Sequence, residues 1–108
     1  MNIKLPKTTG ILTILSRKPS IKADQIMKVM PEEIRATVAL YMEGKIQQWF
    51  MQADGSGVIF ILNCKDVEEA RDIIEDLPFS KESLVEEQFI PIGPLLPLGL
   101  LLGDKRPE

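Results

Sequence analysis

The chain has no histidine and only one cysteine. Without histidine there is no Ser-His-Asp or Cys-His triad, no imidazole metal ligand and no ordinary proton shuttle near neutral pH. With Cys64 alone there is no intrachain disulfide and no common zinc site, which fits a reducing, cytoplasmic setting. Cys64 itself reads as a small buried hydrophobe at a strand end rather than a reactive thiol. Long apolar runs are also missing. No stretch reaches the ~18–20 residues of a membrane span. The run 11–15 is too short for a signal-peptide core and has no small-residue cleavage site after it. A basic excess is lacking too: the formal net charge is −3. Lys4, Lys7, Arg17, Lys18 and Lys22 are scattered rather than striped, so neither a nucleic-acid surface nor a membrane partner is expected. No sequence motif for a metal or cofactor is present, and none is expected.

What remains is an apolar fraction of 44%, enough for a packed core. The length of 108 residues fits one domain spanning the whole chain. Residues 1–8 read as a loose leader. Residues 10–16 (GILTILS) are β-branched and apolar, a first strand. Ile26, Met27 and Met30 begin a helical stripe that Ser20 or Asp24 is placed to cap. Pro31 suits the first turn of a second helix, with Glu32 and Glu33 at its positive end. Ile34, Val38 and Tyr41 share one face of that helix, and Gly44 is placed to end it. Residues 45–52 (KIQQWFMQ) form a strand. Asp54-Gly55 is a hairpin signal, because such turns need positive φ. Residues 58–64 form the next strand. Asp66 and Glu69 open a helix over 66–77 with a capping-box spacing, and Pro78 stops it. Residues 84–92 form the last strand. The order is βαββαβ: a ferredoxin-like α+β fold with a four-stranded antiparallel sheet.

Two helices cover one face of such a sheet. Residues 58–62 (VIFIL) are nonetheless apolar at every position, so the other face needs a cover as well. A second copy packed sheet to sheet supplies one, giving a homodimer or higher oligomer enclosing a barrel. The period of two then sorts the polar side chains. Val85 and Phe89 point to the helices. Glu86 and Gln88 of the last strand, with Gln48, Phe50 and Gln52 of the second, point into the barrel. A carboxylate among amides in a partly dry space can move a proton. The same groups also suit a hydrogen-bonded subunit interface, and both readings stay open. Glu87, on the otherwise apolar face, fits either the sheet rim or, if the two faces are exchanged, the place of the buried acid. Trp49 and Tyr41 read as core, and Arg35 as a solvated ion pair. The tail 94–108 is rich in proline and leucine and is expected to pack on its own domain or on a neighbouring subunit.

Residues 40–50 (LYMEGKIQQWF), Leu77-Pro78-Phe79 and residues 89–94 (FIPIGP) resemble the muconolactone isomerase-like group of the dimeric α+β-barrel superfamily, over roughly residues 10–94. The resemblance implies a ferredoxin-like subunit, a dimer or larger ring and a ligand cavity on the inner sheet face. It further implies a cofactor-free isomerase that shifts a proton on an unsaturated lactone acid. Glu86 and Gln88 fall where that group carries an acidic pair, so the second member is an amide here. The loop 17–21 and the two-part first helix depart from the group's pattern. Glu86 is thus the candidate catalytic acid/base, and Gln48, Phe50, Gln52 and Gln88 are the candidate substrate-binding residues. The alternative is a non-catalytic homo-oligomeric module that binds a small molecule or a protein.

Overall fold

A computed structural model describes residues 8–95. β1 (Gly10–Arg17) leads into α1 (Ala23–Met42), followed by β2 (Ile46–Met51), β3 (Gly57–Leu62), α2 (Val67–Glu75), the single turn α3 (Pro78–Lys81) and β4 (Val85–Ile92). The strands make one antiparallel sheet in the order β2-β3-β1-β4. This is the expected ferredoxin-like βαββαβ fold. Residues 1–7 of the leader and nearly all of the tail lie outside the described residues.

Local chemistry sets the element ends. Gly44 (φ +82) and Gly55 (φ +77) take left-handed conformations that a Cβ disfavours. In the hairpin, Asp54 Oδ1 accepts the Ser56 N–H at 2.9 Å, an Asx turn. Asp66 caps α2 by accepting the Glu69 N–H at 2.8 Å. Pro78 stands at the first position of α3, where its missing N–H costs nothing.

The first helix differs from expectation. It is one helix, with Pro31 inside it. Proline withholds one N–H from the Met27 carbonyl, a local loss that the surrounding turns tolerate here. Neither Ser20 nor Asp24 caps it. Lys22 holds the cap position and its N–H donates to Gln25 Oε1 at 2.8 Å. Ile34 and Val38 lie on the outer face, Ile34 52% exposed, and Tyr41 is partly exposed as well. The inner face carries Ile26, Met30, Glu33, Ala36 and Leu40, all buried or half-buried. Trp49 and Tyr41 are not core. Tyr41 of α1 stacks edge to face on Trp49 of β2 at 4.5 Å, and both remain partly exposed because β2 is the sheet edge.

The core lies between the sheet and its helices, with Ile26, Val29, Met30, Ala36 and Leu40 of α1 packed against it. Ile11, Leu15, Phe60, Leu62 and Val85 from the strands meet Ala70, Ile74, Leu77 and Phe79. Arg71 adds a cation–π contact, its guanidinium 5.1 Å from the Phe89 ring centroid.

Candidate functional site

Cross-strand partners share a sheet face, so the register places each candidate. Glu86 pairs with Ser16, which pairs with Gly57, and the Gln52 N–H donates to the Gly57 carbonyl at 2.8 Å. Gln88, Ile14, Ile59 and Phe50 form the next row. Ile90, Leu12, Ile61 and Gln48 form the third. All five candidates therefore lie on the face away from the helices. Val85 lies on the other side, buried, and Glu87 sits at the rim, where its Oε2 accepts the Ser80 hydroxyl at 2.7 Å.

A bulge makes this sorting possible. The β2–β3 register shifts between Ile46 and Gln48. Ile46 thereby enters the core while Gln48 and Phe50 face the opposite way, a reversal that strict alternation forbids. The open face is apolar along its middle, with Leu12, Ile14, Ile59 and Ile61 half-buried. Phe50 and Ile90 are exposed beside them.

The candidates are not gathered within one chain. Glu86 and Gln88 are two positions apart on β4, roughly 7 Å along the strand. Gln52 lies three strands away from Glu86 in the same row, about 14 Å at the usual strand spacing. Gln48 is farther still, in the third row. Gln52 is also engaged locally, since the Ser56 hydroxyl donates to its Oε1. Two cavities, of about 340 and 370 Å³, lie on the helix side and touch none of the five candidates. Arg35 forms no ion pair among the described residues, where the one ion pair is Lys45–Glu43 at 3.6 Å.

One acid lies elsewhere than its place in the sequence suggests. Glu33 is not a solvated carboxylate at a helix start. It is 5% exposed, and its Oε1 accepts the Phe79 N–H at 2.9 Å, joining α1 to α3. Its Oε2 is buried with no hydrogen-bond partner among the described residues, as is the Thr13 hydroxyl. Burial raises its pKa above the ordinary carboxyl value, and the Phe79 N–H only partly opposes this. The signal was in the spacing: Ile26, Met30, Glu33, Thr37 and Leu40 follow a helical period of three and four. Cys64 is buried as expected, and its thiol is pushed up to about 11, by burial first and then by Glu69 and Asp66. Among the described residues no acidic or cysteine cluster is arranged for a metal. None of their helices is long and apolar enough to cross a membrane.

The fold and the open face define a class: a ferredoxin-like α+β subunit with helices on one sheet face and the other face uncovered. A solved structure shares this fold: 5-chloro-2-hydroxyhydroquinone dehydrochlorinase (TftG) from Burkholderia phenoliruptrix AC1100, in complex with 2,5-dihydroxybenzoquinone. The likeness has a TM-score of 0.62 at 15% identity and covers 76% of this chain and 92% of that one. No family model matches the chain. No curated protein matches it either.

Proposed function

We propose that two copies close the open sheet face on each other and that the enclosed space handles a small carboxylated molecule, in the manner of a muconolactone isomerase-like enzyme. The observation that carries this is the layout of the open face. Its middle is apolar, and its polar groups stand at the two edges, Glu86 and Gln88 on β4, Gln48 on β2 and Gln52 just past the end of β2. Within one chain those edges are about 14 Å apart, so only a partner copy brings a carboxylate close to amides from another edge strand. Glu86 acts as the acid/base: its carboxylate takes a proton from carbon beside an unsaturated carbonyl and returns it at a second carbon, with no cofactor. Gln88, Gln48 and Gln52 orient the substrate and Phe50 forms an apolar wall. The one free, buried thiol of Cys64 supports a cytoplasmic setting.

The test is Glu86→Gln, assayed by NMR for deuterium wash-in from D₂O into an unsaturated lactone acid. Turnover is expected to fall at least ~10²-fold with the sedimentation coefficient unchanged. Full activity in the variant removes Glu86 from the chemistry. One observation favours a second reading, a non-catalytic oligomeric binding module: Gln52 is committed to the hairpin through Ser56. In that case Glu86→Gln shifts the dimer dissociation constant and no wash-in occurs with either protein.

A further inference from the structure

The helix side of the sheet holds a feature that the proposed chemistry does not use. Between the first half of α1 and the β2–β3 hairpin lies a cavity of about 340 Å³. Leu15, Val58 and Val85 form its floor, Ile26 and Met30 its roof, and Phe79 its back. Met27 and Met51 also line it while being 63% and 69% exposed, so the opening is on their side. Organic ligands occupy spaces of this size, lined mainly by apolar groups with a few polar ones that fix orientation. Methionines at a mouth adapt to different shapes at little cost.

Arg17 is the single charged side chain in the lining. It has no carboxylate within 4.0 Å among the described residues. Its backbone is fixed at the end of β1, where its N–H donates to the Ser56 carbonyl at 3.1 Å and it pairs with Val85. A guanidinium held at a rigid strand end beside an apolar cavity matches a carboxylate attached to a hydrocarbon body. Net charge strengthens the point: in a chain of −3, a cavity whose only charge is positive selects anions locally against the overall field.

We propose that this cavity binds a small apolar monocarboxylate, its body between α1 and the sheet and its carboxylate on Arg17. The site is independent of the open face, since the sheet itself separates them. Sodium octanoate and octanol serve as probes of the full chain, read by amide chemical shifts during titration. Octanoate is expected to shift the amides of Leu15, Val58 and Phe79, and to leave those of Leu12 and Ile59 unmoved. Arg17→Gln is expected to weaken octanoate by about tenfold and to leave octanol unchanged. Glu86→Gln is expected to change neither, which separates this proposal from the proposed chemistry. Met30→Trp, which fills the cavity, abolishes both if the variant keeps the wild-type spectrum elsewhere. The proposal is overturned if octanoate moves no cavity amide at 10 mM, a ceiling of roughly 3 kcal/mol on binding. It is equally overturned if Arg17→Gln binds octanoate as wild type does. Cavity amides that shift only on removal of residues 96–108 also overturn it, because the chain's own leucine-rich tail is then the occupant.

Discussion

The two helices of the βαββαβ pattern sit on one sheet and pack in opposite ways. α2 has nine residues and seals Ala70 and Ile74 completely, whereas α1 has twenty and fully buries only Glu33. These two α2 residues sit in the buried core, and the second cavity, of about 370 Å³, follows the seam between α2 and the end of α1. Below the first half of α1 there is a cavity, and on its outer face Ile34 and Val38 meet solvent. The difference teaches where stability and where binding reside. A closely packed half holds the sheet, and a loosely seated helix leaves space and apolar surface that a ligand or partner can use.

The largest test of this contrast is Ile74→Ala. It should cost about 2–5 kcal/mol in urea unfolding, as truncation of a fully buried aliphatic does. A loss below ~1 kcal/mol would mean that the α2 half is not the stabilising one.

Glu33 probes the one place where α1 is anchored. Glu33→Ala strips the acceptor from the buried Phe79 N–H and should cost about 1–3 kcal/mol. Glu33→Gln keeps an acceptor and removes the charge, so it should change the pH profile rather than the fold. Because burial raises the folded-state pKa above the usual 4.5, the folded chain keeps a proton that the unfolded chain releases. That contribution to stability is complete below the unfolded pKa and is lost as pH rises through the folded one. Unfolding free energy should therefore fall with rising pH over this window in the wild type and fall less in Glu33→Gln. Equal slopes in the two proteins would refute the buried-acid assignment.

The smaller effects sharpen the outer surface. Ile34→Ser should change chain stability by no more than ~0.5 kcal/mol, as exposed substitutions do. A cost near that of Ile74→Ala would show that something covers the stripe. Cys64, with its thiol at about 11, is ~10⁻³ thiolate at pH 8. A disulfide reagent should modify it only at the rate of unfolding, and prompt labelling of the folded chain would contradict its burial.

Much of the fold could be read before any coordinates. The strands, the Asp54-Gly55 turn and the Asp66 cap were legible because each is local chemistry acting within a few residues, whereas the helix expected to run to Leu77 ends at Glu75 and Pro78 opens α3 instead of stopping α2. The sorting of Glu86, Gln88, Gln48, Phe50 and Gln52 to one face followed from the period of two. Three things were not legible. The bulge beside Gln47 depends on how β2 pairs with β3, so nothing in KIQQWFMQ alone announces that Ile46 and Gln48 part ways. Pro31 reads as a helix start, yet the flanking turns carry the helix through it. Trp49 and Tyr41 have core chemistry, yet they pack on each other at the β2 edge and stay partly exposed.

By itself, then, the sequence determined the order of elements, the polarity of the sheet and the exclusion of histidine chemistry, because these depend on residue identity and short periods. Tertiary packing decided which stripe of α1 faces inward. That helix is apolar around much of its circumference, so its own pattern allows more than one orientation. Contact with α3 selected the orientation that buries Glu33 against Phe79, exposed Ile34 and left the cavity beside Arg17.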